Sequence, residues 1–227
     1  MDHVLDNPAW NALISGNTTL SFGDAEIKYF DPEVSPFVGL QTNSDQNIKK
    51  LANFISFENT VAIISTTELE IPPLFELIRF VKGCQMVYEG TKISGAGKFE
   101  FVELTEKHVP QMLALTKLTK PGPFASRTIE FGQYFGIVEN YELLAMAGHR
   151  LQPFNYTEIS AVCTHPAHLG KGYAKELLKY HINKIIASAG KPFLHVRHDN
   201  ERAINVYEQL GFNTRTEIYF YFIKKVV

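Results

Sequence analysis

Between His165 and Ala174 the chain reads His-Pro-Ala-His-Leu-Gly-Lys-Gly-Tyr-Ala, placed between an apolar strand-like stretch and a helical pattern. Such a strand-to-helix turn leaves the first backbone N–H groups of the helix without partners, and the helix dipole makes that end attractive to anions. Gly170 and Gly172 let phosphate oxygens approach the main chain, and Lys171 adds a cation beside them. The arrangement predicts a pyrophosphate site. Two other nucleotide loops fit worse: a P-loop needs Gly-Lys-Ser/Thr, and a dinucleotide-binding loop needs a third glycine where Lys175 stands.

A second constellation runs from Asn200 to Phe212, Asn-Glu-Arg-Ala-Ile-Asn-Val-Tyr-Glu-Gln-Leu-Gly-Phe. Asn200 suits a helix N-cap, Ala203, Tyr207 and Leu210 share one helix face, and Gly211 suits the left-handed C-terminal position. Read alone, Tyr207 is a core aromatic. The pairs His165/His168 and His195/His198 raise the question of zinc. An odd separation on a strand sends His195 and His198 to opposite faces, and His168 belongs to a turn, so no metal is expected.

Taken together, EISAVCTHPAHLGKGYAKELL and FLHVRHDNERAINVYEQLGF resemble the GNAT superfamily of N-acetyltransferases over roughly residues 99–223. The resemblance implies acetyl-CoA as co-substrate. The family's Gln/Arg-x-x-Gly-x-Gly/Ala loop falls on Leu169, Gly170, Lys171, Gly172, Tyr173 and Ala174, with Leu169 departing from the pattern and losing a supporting contact. It further implies that the strand before the loop splays from its neighbour and offers the main chain of Val162, Cys163 and Thr164 to the pantetheine arm. Asn200 and Ala203 would border the cofactor, and Tyr207 would protonate the leaving thiolate. A phenol with a reference pKa of about 10 stays protonated at neutral pH, which suits that role.

Attack on a thioester needs a neutral amine, so a base or a water-relayed path is expected. Glu158 is the first candidate, provided partial desolvation raises its pKa toward neutrality. Its placement 11 residues before Leu169 is similar to that of the catalytic glutamate in family members that use one. His195 is the second candidate, on the same strand face as Phe193 and Arg197. His149 and Arg150 are candidate acceptor contacts. The resulting expectation is direct transfer of an acetyl group to a primary amine of a small molecule or peptide in a ternary complex. The rival is a CoA-binding regulatory module without catalysis.

Positioning these residues requires the order β-α-β-β-β-α-β-α-β after residue 96: a strand near Phe99, a helix after Thr105, a hairpin turning at Asn140-Tyr141, a strand over Thr157–Thr164, helices from Gly172 and Glu201, and strands over Phe193–Arg197 and Ile218–Ile223. Before it, helices near Pro8–Ile14 and Asp45–Phe57, strands near Thr19–Phe30 and Val61–Ser65, and a helix over Phe75–Val81 are expected. The fold class is α/β in the α+β sense, with a mixed, mostly antiparallel central sheet flanked by helices. The glycine-bearing stretch Glu89–Lys98 divides an additional N-terminal α/β subdomain, residues 1–95, from a catalytic domain, residues 96–227. The first 95 residues leave three roles open: a degenerate copy of the fold, a substrate cover or a dimerisation element.

Composition is that of a globular chain of 227 residues with net charge −2, which argues against a general nucleic-acid binder. Charge is uneven: residues 1–95 carry 6 Lys/Arg and 12 Asp/Glu, residues 96–227 carry 16 and 12. No apolar run reaches the roughly 20 residues of a membrane span, and the start lacks a signal-peptide pattern, so a cytoplasmic protein without membrane partners is expected. Cys84 and Cys163 read as buried thiols.

Overall fold

Two fourteen-residue strands, Phe75–Tyr88 (β5) and Phe212–Lys225 (β11), organise the molecule. They lie antiparallel along nearly their whole length, from Phe212 opposite Tyr88 to Lys225 opposite Phe75. In the computed structural model, which describes residues 3–95 and 97–226, nine further strands extend the sheet on either side. They are β1 (Phe22–Gly23), β2 (Ile27–Tyr29), β3 (Phe37–Leu40), β4 (Thr60–Ser65), β6 (Val102–Glu103), β7 (Phe135–Glu139), β8 (Glu142–His149), β9 (Tyr156–Thr164) and β10 (Lys191–Arg197). The order across the sheet is β1-β2-β3-β4-β11-β5-β10-β9-β8-β7-β6. All described pairings are antiparallel except β3–β4 and β9–β10.

Helices α1 (Pro8–Leu13) and α3 (Val109–Thr119) cover one face, burying Leu5, Ala9, Leu13, Met112 and Leu115 against Phe193 and Cys163. Helices α4 (Tyr173–Ala187) and α5 (Glu201–Leu210) cover the other, against Met86, Ile159 and Leu194. The apolar spacing of α4 explains its docking: Leu177, Leu178 and Ile182 are all 0% exposed, each worth about 2 kcal/mol of burial. Helix α2 (Asp45–Leu51), capped by Ser44, packs over the β3–β4 end.

After residue 96 the predicted order of elements is the observed one. The hairpin turns where Asn140 and Tyr141 take φ of 51° and 66°, the pair of positive values a tight antiparallel turn requires. The segment Phe75–Val81, predicted as a helix, is instead the first half of β5. Its apolar residues satisfy a three-residue period as well as an alternation, and the fourteen-residue partner strand decides between them. The sheet also joins strands from both sides of the stretch expected to divide the chain. β5 comes from before it and lies between β10 and β11, which come from after it. Ile93, inside that stretch, is held by two hydrogen bonds to the Asn183 side chain of α4, at 2.8 and 2.9 Å. Among the described residues no helix is long and apolar enough to cross a membrane.

Candidate active site

Strands β9 and β10 pair at three positions only, Tyr156–Lys191, Thr157–Pro192 and Glu158–Phe193. Both continue beyond these, β9 to Thr164 and β10 to Arg197, so they part and leave a wedge-shaped gap in the sheet. Ala161, at φ 52°, sits where the β8–β9 register shifts, a bulge that bends β9 away. Beyond the bulge the His165 N–H bonds the Leu144 carbonyl at 2.7 Å. Strand alternation therefore turns the main chain of Val162 and Thr164 toward the gap and that of Cys163, opposite Met146, toward β8. Of the three predicted main-chain partners, two face the gap.

The wider end of the gap meets the N-terminus of α4. Gly170 and Gly172 have φ of 82° and 86°, and a side chain at either would meet nothing within 4 Å, so both open onto free space. Glu176 N–H to Gly172 O is the first α-helical bond at that end, at 3.1 Å, which leaves the amides of Tyr173, Ala174 and Lys175 directed outward. Lys171 Nζ lies 3.1 Å from His168 Nδ1 and 5.8 Å above the Tyr173 ring. The Tyr173 ring itself is buried and its hydroxyl donates to Glu139 at 2.8 Å. Leu169 is half exposed, at 49%. Asn200 caps α5 by accepting the Ala203 N–H at 3.2 Å.

At the narrow end, where the strands part, the site carries a buried polar chain. Glu158 is 0% exposed. It accepts Arg150 Nε at 2.9 Å and Nη2 at 2.6 Å in a two-pronged pair, with His195 Nδ1 at 2.8 Å and the Leu151 N–H at 3.3 Å. Burial alone would push this carboxyl up, but the Arg150 charge and the hydrogen bonds outweigh it and hold it well below the usual carboxylate range. The condition expected of Glu158 as a base, a raised pKa, is therefore reversed. Arg150, expected as an acceptor contact, is its counter-charge and also stacks 4.8 Å over the Phe37 ring.

His195 is equally engaged. Gln85, also 0% exposed, donates to Leu5 O at 2.9 Å and receives Arg215 Nε on its oxygen at 2.6 Å. A carbonyl only accepts and a guanidinium only donates, so these two partners set the orientation of the amide. Its NH₂ therefore faces His195 Nε2, at 3.1 Å. That nitrogen therefore accepts, which makes Nδ1 the donor to Glu158. Arg215 closes the chain on Asp6 at 2.6 Å. Local pattern gave no sign of Gln85, which lies in the half of β5 to which no element was assigned, or of Leu5 and Asp6, which are close only in space.

Tyr207 is half-buried beside Phe212, ring centroids 6.0 Å apart, and its hydroxyl has no protein partner among the described residues. Burial pushes its phenol up to about 12. His149, the other expected acceptor contact, faces α4 instead, its ring 5.1 Å from that of the fully buried His181.

A mixed sheet opened between two parallel strands, with a glycine-lined helix N-terminus at the opening, defines an acyltransferase fold. A family model described as FR47-like protein matches residues 134–221. A solved structure from Novosphingobium aromaticivorans DSM 12444, assigned to the GNAT family of acetyltransferases, is 32% identical over 100% of both chains, with a TM-score of 0.92. The chain belongs to the GNAT family. A GCN5-related N-acetyltransferase from Kribbella flavida shares the fold at 11% identity, covering 96% of each chain with a TM-score of 0.61. A GNAT-family acetyltransferase from Colwellia psychrerythraea shares it at 13% identity, over 90% of this chain and 81% of that one, with a TM-score of 0.54. No match is found among curated proteins.

Proposed function

We propose that the protein is an N-acetyltransferase that moves an acetyl group from acetyl-CoA to a primary amine of a small molecule or peptide, both substrates being bound at once. The observation that carries this reading is the gap between β9 and β10 ending at the open N-terminus of α4. The amides of Tyr173, Ala174 and Lys175, with Gly170 and Gly172 giving room, would hold the pyrophosphate. The free main-chain edge at Val162 and Thr164 would align the pantetheine arm. Acetyl-CoA supplies the activated thioester when bound.

Tyr207 stands on α5, which follows β10 in the chain, and remains protonated at any physiological pH. It would donate a hydrogen bond to the departing sulfur. Its raised pKa makes full proton transfer to a thiolate uphill, so charge stabilisation comes first and transfer follows as the C–S bond breaks. Glu158, locked to Arg150 and His195, would hold the strands together where they begin to part.

The engagement of both base candidates favours the second reading, a module that binds CoA and does not turn it over. Calorimetric titration with acetyl-CoA, followed by CoA-release assays over polyamines, aminoglycosides, amino acids and peptide N-termini, separates the two. Turnover on any amine establishes the transferase. Tight binding with no turnover on the whole panel leaves the module.

A further inference from the structure

The side chains along the narrow end of the gap are of a kind that gives protons or holds them, and this bears on which amines the site accepts. Glu158 Oε1 takes Arg150 Nη2 and His195 Nδ1, and Oε2 takes Arg150 Nε and the Leu151 N–H. The lone pair of His195 Nε2 is spent on Gln85, whose own orientation is set by Arg215 and Leu5. The Cys163 thiol is buried and pushed up to about 12. Tyr207 is a donor, and so is Tyr134, whose buried hydroxyl lacks a partner. His149 and His181 face each other between β8 and α4. His165 stands seven residues along β9 from Glu158, roughly 20 Å at the strand rise, toward the pyrophosphate end.

We infer that this site transfers its acyl group without a side-chain base, and that its acceptor is a weakly basic primary amine of the α-amino type, as at a peptide N-terminus or in an amino-acid amide, a large fraction of which arrives neutral. The inference rests on the acetyl-transfer reading above. The neutral nitrogen forms the C–N bond to the acyl carbon as the C–S bond breaks. The sulfur takes the Tyr207 proton, and the proton shed by the nitrogen passes to water, which restores the Tyr207 hydroxyl. At pH 7.5 an α-amino group with a pKa near 7.8 is about one-third neutral, whereas an alkylamine near 10.4 is about 0.1% neutral. Their nucleophile concentrations differ by roughly 250-fold.

The test is kcat/KM for the acceptor, at saturating acetyl-CoA, from pH 6 to pH 10 for an amino-acid amide, the free amino acid and an alkylamine of matched size. The expected profile rises tenfold per pH unit to a break that moves with each acceptor's own amine pKa, with the amide fastest below pH 8. A break at one pH shared by all three acceptors, the mark of an enzyme base, overturns the inference and leaves acetyl transfer standing. Preference for the alkylamine at pH 7.5 overturns it as well. If acetyl-CoA binds and no amine of any class is acetylated, the transferase reading itself fails, and the inference with it.

Discussion

Tyr207 and Glu158 were both visible as residues, but their chemistry depended on neighbours far away in the chain. Tyr207 has no protein partner for its hydroxyl, so removing that oxygen strands no other group. Tyr207→Phe should lower kcat by about 100-fold with the acetyl-CoA KM nearly unchanged, and an unaltered kcat would remove the tyrosine from the reaction. Glu158 differs, because its carboxylate is the counter-charge of a guanidinium that is itself buried. Glu158→Gln leaves that cation unpaired and should cost about 3–5 kcal/mol in denaturant-induced unfolding. A variant as stable as the parent would show that the pair contributes little. The glutamate's position was readable from sequence, whereas its role was not: Gln85 and His195 come from β5 and β10, and Arg150 from the residue that follows β8.

Among the elements, α4 joins the proposed pyrophosphate site to the core, and each end makes its own prediction. At the N-terminus, Gly172→Glu adds a side chain to a residue at φ 86° and sets a negative charge in the open space before the first turn. Calorimetry should show acetyl-CoA binding abolished, and normal binding would overturn the placement of the phosphates. In mid-helix, His181 faces His149 of β8 with unpartnered ring nitrogens, the Ala147 carbonyl lying near but outside hydrogen-bonding geometry. Burial, reinforced by the Lys184 charge, depresses His149 to about 4, and burial with the neighbouring His149 depresses His181 to about 3. Folded-state values below the unfolded 6.5 mean that stability is fully present above pH 6.5 and is lost as pH falls toward those values. Urea unfolding should therefore show a loss of about 2 kcal/mol per histidine by pH 5, and His181→Leu should flatten that slope. The helix itself was legible, since its apolar spacing is strong. The burial of its one histidine was not, because a neutral imidazole fits a core or a surface equally well.

At the scale of the whole molecule, the exchange of β5 across the sheet makes the two halves interdependent. Residues 96–227 expressed alone would lack the strand between β10 and β11, exposing the edge of the parted pair and the buried faces of Phe193 and Phe212. That fragment should be unfolded or aggregated by circular dichroism and size-exclusion chromatography, and co-expression with residues 1–95 should restore a folded complex. A soluble, cooperatively melting fragment that binds acetyl-CoA would contradict this.

The order of elements after residue 96, the glycine loop, the helix caps and the positions of Tyr207 and Glu158 follow from the sequence by itself. They depend on interactions within a few residues of chain: apolar period, turn conformation and capping. The insertion of β5, the closure of the site by Leu5 and Asp6, the tautomer of His195 and the pairing of the Glu158 carboxylate with Arg150 were decided only in the tertiary structure. Each turns on which group of a remote strand fills a hydrogen bond in a space without water, and local pattern carries no record of that partner.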